Sequence, residues 1–414
     1  MQPPNISLMK LTRNLAAARA QGQIALRRSF PVLLSYLVNA AILIGCIAVL
    51  GELVSSQSLQ SFLVYFFVCG IAAGLEPGTA KGSLKHSGVG GELEGGASLM
   101  LASTAKALLV TPVLLAIWAY SDANVIGIKE LAWSPAIAIL GFVATDLRVA
   151  LDAQGRHAAA IWAKQGSLGL AAVAAAACLA LGLELAHGIA LACLMRVGWV
   201  AVFWLLAKKP ANISTSVGHH LFKRPWQHLL LASCLGALSA SIDRIVAFRL
   251  LDPSSANSYV LVYEILTKFW LFNYLFAPLV FVATIEAGLG SKLAKYAYLI
   301  IAVAGAPFLL FTLNVTLLPF STFAQAEIEP WALFIFGVAI LFAAWNGILA
   351  AELQASHFAR AATNSAGVGL VTSAIAFPSA LLLWGINGLF FAWTLKSAVE
   401  FGVLLAARKR AQIK

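Results

Sequence analysis

The chain has 414 residues, 61% of them hydrophobic and 11% charged, with a mean hydropathy of +0.87. That much apolar surface excludes a soluble globular domain, and the short connections leave no room for an attached catalytic domain. The formal net charge of +11 does not point to nucleic acid, because the basic residues gather in the connections on one side of the apolar runs.

About 20 apolar residues cross the hydrocarbon core as a helix. Twelve runs of that kind follow one another: 31–50, 58–76, 98–119, 133–151, 158–182, 186–207, 227–249, 257–284, 296–319, 330–350, 362–384 and 387–406. The expected fold is all-α, a polytopic membrane protein of about 12 transmembrane helices. With the N-terminus placed in the cytoplasm, about 20 of the 28 Lys and Arg fall on the cytoplasmic side. Lys129 and Arg249 fall outside, beside Glu52, Glu184, Asp252, Glu327 and Glu329. Both termini are therefore expected in the cytoplasm, with the excess charge near anionic headgroups.

Residues 1–29 carry Lys10, Arg13, Arg19, Arg27 and Arg28 among Ala and Leu, the composition of an amphipathic arm on the inner leaflet. Ser35 and Asn39 are the polar positions of the first run. The loop from Gly82 to Ser98 is rich in glycine, but it lacks the flanking strand and closing Lys-Ser or Lys-Thr of a phosphate cradle. Charges on both ends of the 146–157 turn are expected to fix helix ends, with His157 part of that turn. His219-His220 lack a third ligand, and the five cysteines lie inside apolar runs without metal-ligand spacing. No metal or cofactor is expected.

The most specific signal is internal. At an offset of 200, Asp146–Lys209 aligns with Asn346–Lys409 without gaps, and about 16 of 64 positions are identical. Gln154, His157, Gly169 and Gly188 match Gln354, His357, Gly369 and Gly388; Arg196 meets Lys396. A six-helix unit is even-numbered, so the two repeats enter the membrane in parallel, and substrate sites of such transporters tend to lie between the halves. The expected division is an arm over 1–29, a first lobe over 30–209, a linker over 210–226, a second lobe over 227–407 and a tail over 408–414.

Charges inside the runs are the candidate site, because a charge at membrane depth costs about 2.5 kcal/mol or more and marks a cavity or a partner. The seventh and eighth runs hold Asp243, Arg244, Glu264 and Lys268, with Tyr263 beside them. A helical wheel puts Ser233, Gly236, Ala240, Asp243 and Ala247 on one face and Arg244 at its edge. Glu264–Lys268 and Lys396–Glu400 have the i,i+4 spacing of an ion pair. Arg196 has no evident partner close in sequence; Lys106 and Lys164 lie a turn or two inside their runs. For each cation two readings stand: a structural pair that ties the bundle, or a cavity lining that attracts an anion, for which Arg is well suited to phosphate. Tyr263 is read either as packing or as a surface on which sugar rings stack. The candidate substrate-binding set is Arg244, Lys268, Asp243, Glu264, Arg196, Lys396 and Tyr263, contributed mostly by the second half.

Asp243-Arg244-Ile245, then Leu250-Leu251, then Tyr259 resembles the opening of the second half of polysaccharide flippases, the O-antigen and lipid-linked oligosaccharide translocases of the multidrug/oligosaccharidyl-lipid/polysaccharide exporter superfamily. Leu151-Asp152-Ala153-Gln154-Gly155-Arg156 is similar to the family's turn between helices 4 and 5. The resemblance covers the whole layout, but its motifs are short. It implies a V-shaped two-lobed bundle in the inner membrane working by alternating access. It further implies a cationic cavity receiving a polyprenyl-diphosphate-linked glycan whose tail stays among membrane lipids, and a place beside polysaccharide polymerase or export machinery. A cation-coupled multidrug antiporter of the same superfamily is the alternative, although Glu76 is the only close match to the acid those proteins need in the first half. A membrane glycosyltransferase or polymerase fits less well: the loops near 121–133 and 321–330 are too short for its acids and bases, so no enzyme activity is expected.

Overall fold

The computed structural model describes residues 34–35, 37–75, 96–121, 128–153, 156–207, 224–287, 289–315, 328–356 and 358–413. The N-terminal arm, Glu76, most of the glycine-rich loop, Gln154-Gly155, Lys208-Lys209, the linker with His219-His220, Glu327 and His357 lie outside the described residues.

Each apolar run forms a helix. The first half contains α1 (Leu37–Leu53), α2 (Ser56–Gly74), α3 (Gly96–Ser121), α4 (Ser134–Ala153), α5 (His157–Ala180) and α6 (Leu185–Ala207). The second half opens with α7, built of two pieces, Arg224–Ser239 and Ile242–Leu250. Next comes α8, which runs Pro253–Leu266, tightens to a 3-10 turn at Thr267–Trp270, and resumes over Leu271–Ala287. Then follow α9 (Lys292–Thr312) and α10 (Pro330–Ala355). The stretch Ala359–Ile413 breaks at Trp384 and Gly385 into α11 (359–383) and α12 (386–413). Residues 408–413, expected as a tail, continue α12. Among the described residues nine helices are long and apolar enough to span unaided. The short α1, the interrupted α8 and the division of α11 from α12 bring the membrane segments to twelve.

Local chemistry sets the breaks. Ser55 caps α2 through its hydroxyl, and Asp252 caps α8 by accepting from Ser254 N and Ser255 N, both at 3.0 Å, with Pro253 in the first turn. These caps satisfy amides that the helix itself leaves free. Gly182 and Gly385 take φ of +76° and +57°, which turns α5 into α6 and α11 into α12 without a side-chain clash.

The duplication is visible in the packing. In the first half α4 is central, against α2, α3, α5 and α6; in the second, α10 packs on α8, α9 and the α11–α12 pair. Pro112 sits inside α3 and Pro307 inside its counterpart α9. Gly188 lets α6 approach α5 so closely that a Cβ there would stand 2.8 Å from Ala175 Cα, and a Cβ on Gly388 would strike the Ala380 carbonyl of α11. Small residues that permit backbone approach are the usual means of packing helices in lipid.

Between the halves, α2 meets α7 and α8, and the second piece of α7 meets α3. At the end where α1 turns into α2 and α7 into α8, the halves are bonded to each other. Gln60 Nε2 donates to Phe248 O at 3.1 Å, Asn257 Nδ2 donates to Ser56 O at 3.1 Å, and Arg249 lies over the Tyr120 ring at 5.6 Å. Toward the opposite end the halves part.

Candidate functional site: a cationic cavity between the halves

The parting encloses a cavity of about 570 Å³. α1, α2 and α5 wall it from the first half; α7, α8 and α10 wall it from the second. Among the described residues its charged lining is Lys164, Arg244, Lys268 and Glu264, three cations against one carboxylate. Asn39, Gln165 and Asn273 supply amides, and Gly70, Gly74, Gly236 and Gly347 keep the walls thin.

Arg244 stands at the seam. Its guanidinium carbon lies 4.2 Å from the centre of the Tyr263 ring and 4.5 Å from that of Phe67, so an aromatic from each half flanks it. Such contacts contribute about 2 kcal/mol when desolvated. Nη2 donates to Ala240 O at 2.7 Å, Nε lies 3.8 Å from Asp243 Oδ1, and Nη1 lies 3.7 Å from Glu264 Oε1. The carbonyl it meets, Ala240, lies at the interruption of α7 one turn earlier.

Ser233, Gly236 and Ala240 line the cavity, and so does Arg244, which the wheel set at the edge of their face. Arg244 turns inward to the cavity, and Asp243 turns into the second half, where it has no exposed surface. There Oδ2 accepts from Tyr259 Oη at 2.7 Å and from Trp393 Nε1 at 3.0 Å. Asp243 therefore backs Arg244 from behind the cavity wall.

Glu264 and Lys268 form the i,i+4 pair that their spacing implied, Nζ to Oε2 at 2.8 Å, and both line the cavity. Lys268 lies in the 3-10 turn that interrupts α8 and has the more accessible head, with 32% of its side chain exposed against 15% for Glu264. Tyr263 also lines the cavity. Its ring is fixed among Trp270, Phe336 and Trp393, so it is a wall rather than a free platform.

The two remaining candidates are not brought to this cavity. Arg196 is fully buried inside the first half, where Nε donates to Ser167 Oγ at 2.9 Å and Nη1 to Cys69 Sγ at 3.8 Å. Lys396 is buried in the second half, 3.7 Å from Glu400 Oε1 and 4.2 Å from the centre of the Trp393 ring. Glu400 also accepts from Ser239 Oγ at 3.4 Å, tying α12 to α7.

The first half contributes more than was expected. Lys164 faces the cavity from α5 beside Gln165, whose Oε1 accepts from Asn39 Nδ2 at 3.0 Å. Each was visible as a polar residue in an apolar run. What joins them is the packing of α1 on α5, which no spacing within either run reveals.

No protein-family model matches the chain, and no curated relative does. Solved structures do. A eukaryotic MATE transporter, AtDTX14, superposes with a TM-score of 0.61 at 17% identity, covering 96% of this chain and 99% of its own. An outward-facing multidrug resistance MATE transporter of the MOP superfamily gives 0.64 at 14%, with 94% and 96% covered. The lipid II flippase MurJ, in an inward closed conformation, gives 0.61 at 12%, with 91% and 87% covered. The chain has the fold these proteins share. At such identities the likeness concerns architecture, and substrate has to be argued from the cavity.

Proposed function

We propose that the protein is a membrane flippase that carries a polyprenyl-diphosphate-linked oligosaccharide across the inner membrane for surface polysaccharide biosynthesis. The supporting observation is the sign of the cavity lining: Lys164, Arg244 and Lys268 outnumber Glu264 in a space walled by both halves. A diphosphate is attracted to such a site, and a low-dielectric wall strengthens the attraction. The positive-inside distribution makes the open end cytoplasmic, the side on which lipid-linked sugars are assembled in this reading. Alternating access then consists of closing this end and breaking the Gln60–Phe248 and Asn257–Ser56 bonds at the other. Glycan and diphosphate occupy the cavity while the isoprenyl chain remains in lipid, and polymerase or export machinery receives the product outside.

A second reading, a cation-coupled multidrug antiporter, is favoured by the fold shared with MATE transporters. It calls for an acid that cationic drugs or coupling ions reach. Among the described residues the one carboxylate that lines the cavity, Glu264, is already held by Lys268. The two readings separate in proteoliposomes. The flippase moves a fluorescent polyprenyl-diphosphate sugar between leaflets, and Arg244→Ala and Lys268→Ala lose that activity. Proton-dependent ethidium efflux with no lipid movement supports the antiporter instead.

A further inference from the structure

Glu264 is an anomaly in a site read as anion-binding. It is a carboxylate in the cavity wall, and its two oxygens point at two different cations: Oε2 lies 2.8 Å from Lys268 Nζ, and Oε1 lies 3.7 Å from Arg244 Nη1. One carboxylate thus bridges the same two groups that a phosphate would bridge with two of its oxygens. Asp243 is also beside Arg244, yet it is anchored by Tyr259 and Trp393 behind the wall and has no exposed surface. The two acids therefore differ in kind. Asp243 is a fixed counter-charge, whereas Glu264 is, among the described residues, the acid that faces the cavity and is held there by cations rather than by neutral donors.

We infer that the Glu264 carboxylate is a built-in stand-in for the anionic group of the cargo: it occupies Lys268 and Arg244 in the empty cavity and is displaced when a phosphate of the cargo takes them. This deepens the flippase reading above and rests on it. Lys268 left bare at membrane depth, with Arg244 left to Asp243 alone, is costly, so the transporter without cargo gains from such an occupant. Arg244 is kept in place during the exchange by Asp243 Oδ1, by the Ala240 carbonyl and by the Tyr263 and Phe67 rings. The exchange trades one anion for another at the same two cations, so neither is stranded. It also sets the order of events at release, because the returning carboxylate expels the cargo by competing for its contacts. Removing that competitor raises affinity and slows turnover together, a split that a tie holding α8 in shape does not produce.

The test uses the full chain in nanodiscs and farnesyl diphosphate as the probe. Glu264→Gln keeps the shape of the side chain and removes its charge. Its expected behaviour is binding about ten-fold tighter than wild type with slower lipid flipping in proteoliposomes. Glu264→Asp retains the charge but withdraws the oxygens by one methylene, and its affinity is expected to fall between the two. Equal or weaker binding by Glu264→Gln, with wild type binding the probe, overturns the inference and leaves the flippase reading standing. If Glu264→Gln does not fold, the Asp variant decides: affinity at or below wild type overturns the inference. Failure of wild type to bind, with Arg244→Gln and Lys268→Gln indistinguishable from it, overturns the cationic-cavity reading itself and this inference with it.

Discussion

The first half and the second half each carry an arginine inside a membrane helix, and the two are placed differently. Arg196, in α6, is sealed among α2, α5 and α6 with a hydroxyl and a thiol as its acceptors. Its Nη2 has no hydrogen-bond partner among the described residues. Arg244, in α7, has a carboxylate on either side, an aromatic ring on either face and an opening onto the cavity. A charge in an apolar run therefore does not by itself mark a transport site. What separates the two arginines is access: Arg244 lines the cavity between the halves, whereas Arg196 has no exposed surface.

The comparison is broken most severely at Asp243. Asp243→Asn leaves Tyr259 and Trp393 in place but deprives Arg244 of its fixed counter-charge; breaking a buried pair costs about 3–5 kcal/mol, and with Glu264 still 3.7 Å from Arg244 the expected loss is at the low end, about 3 kcal/mol. Thermal unfolding in detergent checks this; an unchanged midpoint shows that Arg244 needs no carboxylate behind it. A smaller loss is expected at the sealed arginine. Ser167→Ala removes the acceptor of Arg196 Nε and costs about 1.5–3 kcal/mol, the range for a hydrogen bond to a charged group. The same unfolding experiment reads it, and flipping per folded molecule is expected to stay at the wild-type level.

The smallest effect belongs to the cap that starts α8. The Ser255 side chain, together with the amides of Ser255 and Ser254, bonds the Asp252 carboxylate and holds it below the usual carboxylate range. A depressed folded-state pKa contributes stability above the unfolded value, and that stability is lost as pH falls through the folded value. Asp252→Ala is expected to cost about 1 kcal/mol near neutral pH. The gap between variant and wild type then narrows on acidification below the ordinary aspartate range, near pH 3.9. A gap independent of pH sinks the capping account.

Much of the architecture was legible in the chain. The twelve runs, the offset of 200 and the placement of Arg244 and Lys268 together needed no more than hydropathy and self-comparison. Three features escaped for definable reasons. The wheel set Asp243 within the small-residue face and Arg244 at its edge, and only the packing of Tyr259 and Trp393 on Asp243 shows that Arg244 is the one that meets the cavity. Arg196 and Lys396 are repeat-related cations in apolar runs, and composition does not distinguish a sealed charge from an accessible one. Lys164, Gln165 and Asn39 belong to the site through contacts between α1 and α5, more than a hundred residues apart, so the first half's share of the cavity was underestimated.

The central claim is that accessible rather than merely buried cations carry the substrate. It is tested most directly by reconstituting Arg244→Met and Arg196→Met in proteoliposomes and measuring movement of a fluorescent polyprenyl-diphosphate sugar between leaflets. The account predicts that Arg244→Met abolishes movement, whereas Arg196→Met, which replaces a sealed charge by an apolar side chain of similar length, retains it. Movement retained by Arg244→Met, or lost by a well-folded Arg196→Met, contradicts the account.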